Sequence, residues 1–288
     1  IHGSVIVFVP EESRAVKQLV RKSARELKID IKPAVRRYFV EMKAATLRDP
    51  VGDWERLQNA LKAAHGLEGL AIDYPVLMQL QKVVRAGEWK VTVFVWQGRE
   101  VIRVAPGFAE YSLGLAVDVG TTTVAGFLCD LDSGQVLASE SMMNPQTPYG
   151  DDVMARITYA MTRPDGLDKM HAAIVEGLNT IVARVCETAG YQPEDIAEAV
   201  LVGNTCMNHI FLNIFPKYVG VSPFIPAMHH SVNVKARDFG LKILPSGNVH
   251  VVWQDNTPGN NDILYRRWNG GVWSPVQNLS ANSGDSVS

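Results

Sequence analysis

The stretch from residue 113 to residue 141 constrains the fold more than any other part of the chain. Three strand candidates follow one another there with very short connections: Leu113–Val119, Val124–Asp130 and Gln135–Ser141. The second connection, Asp132-Ser133-Gly134, has the composition of a tight turn. So many β-forming residues with so few linking residues predict a β-sheet at the start of a domain.

Helices and a fourth strand continue this pattern. Tyr149–Met161 and Leu167–Ala189 are predicted helices, and Gly190 is a residue that commonly ends one. Ala199–Val202 is a short apolar strand that leads into a further helix. Three strands, then helix, strand and helix, is the order of a ribonuclease-H-like half-domain. We therefore predict an α/β fold in which residues 113–248 form the first half of an actin/hexokinase-type ATPase domain.

The first connection of the predicted sheet has the composition of a phosphate-binding turn. The strand delivers Asp118 at its end, and Gly120 lets the backbone turn closely because it has no Cβ. The hydroxyl and N–H groups offered to a phosphate chain belong to Thr121, Thr122 and Thr123. A carboxylate beside phosphate needs a cation, so Asp118 is predicted to hold Mg²⁺ through water. The alternative is a plain hairpin in which threonines fill β positions because they are β-branched.

Gly203, Asn204 and Thr205 form a second candidate site. They connect an apolar strand to a helix, where backbone N–H groups point outward and favour anions. The alternative is an ordinary strand-to-helix turn with Thr205 as the helix cap.

Asp151 and Asp152 are the candidate catalytic residues. They lie between the third strand and the first helix, in a loop that can face the γ-phosphate. A carboxylate there would orient a water molecule for attack, and Asp152 is slightly favoured for this role. Either residue is equally well explained as a carboxylate placed at a helix N-terminus because the helix dipole stabilises it.

The remaining chain divides into three blocks of different composition. Residues 1–30 predict a linker and residues 31–110 a small α+β middle domain. Residues 249–288 contain no Lys and no Glu but three of the six Trp, which predicts a β-rich tail like a propeller blade. Because a lone blade cannot bury both of its faces, we hypothesise a chimeric junction near residues 246–249.

Charge and hydropathy narrow the classes of partner. A net charge of −2 gives no reason to expect a nucleic acid. No apolar run reaches the roughly 18 residues that a membrane span needs. Cys129, Cys186 and Cys206 lack both C-x-x-C and iron–sulfur spacing, which predicts buried thiols in a reducing compartment, the cytoplasm.

Several short motifs in combination resemble a known family. They are Leu113-Gly-Leu-Ala-Val-Asp-Val-Gly-Thr-Thr-Thr123, Asn144-Pro-Gln146, Tyr149-Gly-Asp-Asp-Val153 with Arg156-Ile157, Val202-Gly-Asn-Thr205 with Met207 and His209, and Ser222-Pro-Phe-Ile-Pro226. This set resembles the reductive activators of corrinoid proteins, ASKHA-type ATPases that are usually fused to a plant-type ferredoxin domain. The resemblance extends over about residues 5–248.

The resemblance implies an ATP-dependent activity. Such proteins use ATP and Mg²⁺ to drive electron transfer from an iron–sulfur cluster to the Co(II) corrinoid of a corrinoid iron–sulfur protein or corrinoid methyltransferase subunit. The [2Fe–2S] cluster is expected in a ferredoxin domain preceding residue 1, and the family is typically cytoplasmic and homodimeric. The second half of the ATPase domain is expected after residue 248. Because the tail stands there instead, we expect ATP hydrolysis of the parent protein and an inactive truncated chain.

Two other functions stay open at this stage. In the first, the chain is a non-catalytic fragment that binds only the phosphate end of a nucleotide, because half a cleft lacks the contacts to base and ribose. In the second, which rests on the tail alone, the protein is a secreted propeller-type protein that binds glycans through exposed Trp side chains.

Overall fold

The computed structural model describes residues 31–253 and the residue pairs 264–265 and 277–278. These residues belong to one compact unit, residues 31–288. The predicted linker 1–30 and most of the predicted propeller-like tail lie outside the described residues. Within residues 31–253, no helix is both long and apolar enough to cross a membrane.

Residues 31–111 form an α+β domain around a four-stranded sheet. Its helices are α1 (Asp53–His65) and α2 (Tyr74–Ala86), and its strands, in the order β1-β3-β4-β2, are β1 (Val35–Glu41), β2 (Ala71–Ile72), β3 (Lys90–Trp96) and β4 (Glu100–Pro106). Apolar side chains of both helices and of the central strands form its core, among them Leu57, Leu61, Leu80, Val84, Val93 and Val101.

Helix α1 begins at Asp53 without a side-chain cap. Gly52, not Asp53, is the N-cap, and it has no side chain with which to cap the helix. Asp53 lies inside the first turn, where the helix dipole favours a carboxylate, and it pairs with Arg85 of α2 at 2.6 Å. The acidic residue therefore fastens the two helices together.

Residues 113–253 form the second domain around a six-stranded sheet. Its helices are α3 (Val153–Thr162), α4 (Gly166–Ala189), α5 (Thr205–Phe211) and α6 (Lys217–Gly220), and its strands, in the order β7-β6-β5-β8-β10-β9, are β5 (Leu113–Val119), β6 (Thr123–Asp130), β7 (Val136–Met143), β8 (Ile196–Gly203), β9 (Val232–Lys235) and β10 (Asn248–Trp253). Strands β5, β6 and β7 are antiparallel, whereas β8 lies parallel to β5. This topology confirms the predicted α/β class and the ribonuclease-H-like half-domain.

The helices cover one face of this sheet. Along β5, Leu115 and Val117 are buried in the core with residues of α4 such as Ile181, because alternate side chains of a strand point to opposite faces. Ala116 and Asp118 lie on the opposite face and are exposed. Helix α4 ends at Gly190, as predicted, with a left-handed backbone at φ 77°. The sheet therefore has a packed face and, at this end of β5, an open one.

Strand β10 lies inside the sheet, although the sequence analysis assigned residues from 249 onward to the tail. It pairs parallel to β8 along its whole length, from Asn248 opposite Glu198 to Trp253 opposite Gly203. Its alternating residues Val249 and Val251 are fully buried in the same core as β5. The structure therefore places the end of the half-domain at residue 253 or later. Beyond it, Leu264–Tyr265 and Gln277–Asn278 pair as short antiparallel strands, β11 and β12.

The two domains share an interface of apolar contacts and ion pairs. Val35, Phe94 and Ile102 of the first domain form one buried cluster with Ala197 of the second. Among the described residues, four ion pairs cross between the domains: Arg237 with Asp73, Arg37 with Asp132, Lys235 with Glu100 at 2.7 Å, and Arg103 with Asp195 at 3.1 Å. The linkage between the domains is thus both apolar and charged.

Candidate functional site

The connection between β5 and β6, residues 118–123, lies at the carboxyl end of β5, and we call it the phosphate turn. Val119 pairs with Val124, so the chain reverses within the four residues between them. A Cβ on Gly120 would stand 2.6 Å from the carbonyl oxygen of Thr123. Because no side chain fits there, the close turn requires glycine at this position.

Asp118 carries an unpaired carboxylate at the start of the phosphate turn. Its side chain is exposed on the open face of the sheet and has no hydrogen-bond or ion-pair partner among the described residues. The protein behind it nevertheless removes enough water to raise the pKa of this carboxyl above its usual value. A carboxylate in this position gains most from a cation, since none of the described side chains compensates its charge.

The carbonyl groups of the phosphate turn are held from the protein side. Asn144 donates from Nδ2 to the Gly120 oxygen at 2.7 Å and from its backbone N–H to the Thr122 oxygen at 2.7 Å. Arg156 donates from Nη2 to the Thr121 oxygen at 2.6 Å. Three successive carbonyl oxygens are therefore occupied by donors of the protein.

The second candidate site lies directly beside the first. Gly203 pairs with Val119 in the sheet, so residues 203–205 and the phosphate turn leave neighbouring strands at the same edge. Asn204 Nδ2 donates to the Thr121 hydroxyl oxygen at 3.1 Å, which joins the two loops. The two predicted binding segments are thus brought together, as parallel strands with adjacent carboxyl ends require.

The cap of helix α5 is Asn204 and not Thr205. The Asn204 Oδ1 atom accepts a hydrogen bond from the Met207 N–H at 2.9 Å, and its backbone is extended as an N-cap requires. The alternative considered from the sequence, with Thr205 as the cap, therefore names the wrong residue by one position. Thr205 is the first helical residue, and its carbonyl oxygen lies 2.7 Å from Nδ1 of His209.

Asp151 and Asp152 are both exposed, and one of them has a structural contact. Asp152 is the N-cap of α3 and accepts a hydrogen bond from the Ala155 N–H at 2.7 Å. This is the helix-terminus alternative considered from the sequence. The catalytic role of Asp151 or Asp152 stays a prediction.

Asn144, Gln146 and Arg156 shape the site although the sequence analysis assigned them no role. All three are almost completely buried. Gln146 receives a hydrogen bond from Arg156 at 3.1 Å and donates to the Met170 oxygen of α4 at 3.2 Å. The available signal was an arginine on the apolar face of a helix and two amides in one short motif, since buried polar residues need partners.

The histidines and acidic residues form no metal centre of their own in the described part of the chain. No three His, Cys, Asp or Glu side chains converge there on a common point. His209 is buried, its Nε2 accepts the Ala227 N–H at 3.0 Å, and burial lowers its pKa. His229 and His230 are exposed. His209 is therefore a packing residue of the described fold.

Two family models match the chain, and both belong to one family. The RACo linker region matches residues 24–111, and the RACo middle region matches residues 113–254. The names of the regions differ: the α+β middle domain corresponds to the family's linker region, and the ATPase half-domain corresponds to its middle region. The second match ends one residue past β10, which agrees with the place of that strand in the sheet.

Two relatives extend this similarity. The corrinoid activation enzyme RamQ of Eubacterium limosum is 36% identical over 179 residues, which cover 62% of this chain and 30% of RamQ. A solved structure described as the reductive activator for corrinoid, iron–sulfur protein is 33% identical with a TM-score of 0.70, over 78% of this chain and 36% of that one. The chain thus spans about a third of each relative. It belongs to the RACo family, of which it contains the linker and middle regions.

Proposed function

We propose that residues 113–253 form the phosphate-binding half of an ATP site, with Asp118 holding Mg²⁺. The observation that carries this proposal is the unpaired Asp118 carboxylate beside a glycine turn whose carbonyls are occupied on the protein side. Mg²⁺ is commonly bound through one or two carboxylates together with substrate phosphates and water. The phosphate groups would be contacted by Gly120, Thr121, Thr122 and Thr123, with residues 203–205 alongside.

For the whole protein we propose the ATP-dependent reductive activation of a corrinoid protein. RamQ is a corrinoid activation enzyme, and the solved relative is an activator for a corrinoid iron–sulfur protein. ATP bound with Mg²⁺ would supply the free energy for an uphill electron transfer from a [2Fe–2S] cluster to Co(II). The cluster would lie in a domain other than the two described, and a cytoplasmic homodimer is the expected form.

The first prediction concerns Mg²⁺–ATP binding by this chain. We expect calorimetry to give an affinity weaker than about 1 µM, because contacts to the base and ribose are missing from half a cleft. Asp118→Asn should weaken binding at least about tenfold, since it removes the metal-binding charge at nearly constant size. Asp238→Asn, a change at an exposed aspartate, serves as the control.

Two results would contradict the proposal. One is unchanged affinity in the Asp118→Asn protein, and the other is no binding of Mg²⁺–ATP at millimolar concentration by the unaltered chain. In a full-length relative, alanine at the position that matches Asp118 should abolish ATP hydrolysis. Micromolar binding by the present chain would instead mean that the described half-domain already makes most of the nucleotide contacts.

A further inference from the structure

Arg156 is a completely buried cation without a carboxylate partner among the described residues. It is the largest of the fully buried side chains there. The other buried arginine of the described chain, Arg56, pairs with Asp49 at 2.8 Å. A buried charge is costly unless its surroundings compensate it. Arg156 therefore needs an explanation that Arg56 does not.

The hydrogen bonds of Arg156 all go to neutral acceptors around the phosphate turn. Nη2 donates to the Thr121 oxygen at 2.6 Å and Nε to the Gly150 oxygen at 2.9 Å. Nη1 donates to Gln146 Oε1 at 3.1 Å and to Met207 Sδ at 3.0 Å. A guanidinium has five N–H groups, so one N–H on Nη2 has no acceptor among the described residues.

These contacts join α3, which carries Arg156, to three other segments at the base of the candidate site. Thr121 belongs to the phosphate turn, Gln146 and Gly150 to the loop before α3, and Met207 to α5. Burial lowers the pKa of Arg156, but an arginine in a protein keeps its proton at neutral pH. The described carboxylates that act on its charge, Asp151 and Asp152, are exposed to solvent. A full positive charge thus lies directly behind the phosphate turn.

We propose that Arg156 is an electrostatic positioning residue that favours a bound polyphosphate from behind the turn while fixing the Thr121 carbonyl. This inference rests on the proposed function, because the polyphosphate is the tail of the nucleotide. A buried charge is weakly screened by water and salt, so it acts on an anion across the turn without touching it. A bound polyphosphate supplies the negative charge that the described residues do not place next to Arg156.

The test compares a neutral and a charged replacement. Arg156→Gln removes the charge and keeps one amide donor group on a shorter side chain, whereas Arg156→Lys keeps the charge without the guanidinium fork. The probes are Mg²⁺ complexes of phosphate, pyrophosphate and tripolyphosphate, with circular dichroism to confirm folding. We expect Arg156→Gln to lose about tenfold in affinity for tripolyphosphate and Arg156→Lys to stay within about threefold of the unaltered chain. The loss in Arg156→Gln should grow from phosphate to tripolyphosphate.

The outcomes separate this inference from the proposed function. A purely structural role would lower affinity equally for all three anions, and would make the Lys and Gln proteins alike; either result overturns the inference alone. No binding by the unaltered chain would overturn the proposed function with it. If Arg156→Gln does not fold, the Lys protein still decides, because a large loss of affinity there contradicts an electrostatic role. Arg56→Gln should change stability but not affinity.

Discussion

Glu198 shows how strongly the sheet acts on a single side chain. It lies on β8 between Gly114 and Asn248 of the neighbouring strands and is 8% exposed, without a partner among the described residues. Burial raises its pKa from 4.5 to about 7. The folded protein therefore keeps a proton on this carboxyl at pH values where the unfolded chain has released it.

The contribution of Glu198 to the free energy of unfolding should fall as the pH rises from about 4.5 to 7. The folded state binds more protons than the unfolded state in that window, so the free energy of unfolding decreases with pH. The shift from 4.5 to about 7 corresponds to about 3 kcal/mol. Glu198→Gln, which mimics the protonated form, should gain this amount at pH 8 and little at pH 4.

Urea unfolding of both proteins at pH 4, 6 and 8 measures this difference. Glu187→Gln alters an exposed carboxyl on α4 and is the matched control. If the free energies of unfolding of the unaltered chain and Glu198→Gln depend on pH in the same way, a charged partner or bound water compensates the Glu198 carboxylate in the folded protein.

At the scale of elements, Asn204 connects helix α5 to the phosphate turn with its two amide atoms. Oδ1 caps the helix and Nδ2 binds the Thr121 hydroxyl. Asn204→Ala should lower the free energy of unfolding by about 1 kcal/mol, the usual effect of losing an N-cap. Asn204→Asp keeps a capping oxygen and loses the donor, so it should recover most of that stability.

Chemical denaturation separates these two variants, and amide exchange near Thr121 follows the turn. We expect faster exchange there in both variants, because both lack the Nδ2 donor. Equal loss of stability in Asn204→Ala and Asn204→Asp would contradict the capping role.

Strands and helices of the second domain were largely predictable from the sequence, and its polar contacts were not. The pattern of β5 to β8 and the glycine end of α4 are local signals, and they placed both candidate loops at the correct strand ends. The hydrogen bonds of Asn144 and Arg156 join residues far apart in the chain, which no local pattern encodes. Strand β10 was assigned to the tail because the composition changes there, whereas its buried residues Val249 and Val251 belong to the core of the second domain.

At the scale of the whole molecule, four ion pairs of the described residues and an apolar cluster join the two domains. Arg237 binds both carboxylate oxygens of Asp73, which is only 7% exposed. The Arg237 side chain is 36% exposed, but its removal leaves the buried Asp73 carboxylate without its ion-pair partner, which costs more than breaking a pair that is exposed on both sides. The domains should therefore unfold together and lose stability together.

Arg237→Met should lower the free energy of unfolding by about 2 kcal/mol or more. Arg184→Met, which breaks an exposed pair with Glu140, should cost less than about 1 kcal/mol. Urea unfolding followed by circular dichroism and by tryptophan fluorescence tests both values. A small effect of Arg237→Met with two separate transitions would show that the domains are stabilised independently.

Asp73 has a consequence that reaches beyond the interface. Its Oδ1 atom accepts the Tyr74 N–H at 3.0 Å at the start of α2, and the same carboxylate holds Arg237, which follows the outermost strand β9. One acidic group thus serves a helix origin in the first domain and a sheet margin in the second. A displacement of this sheet edge would therefore also loosen the first turn of α2, so that the two regions are mechanically linked.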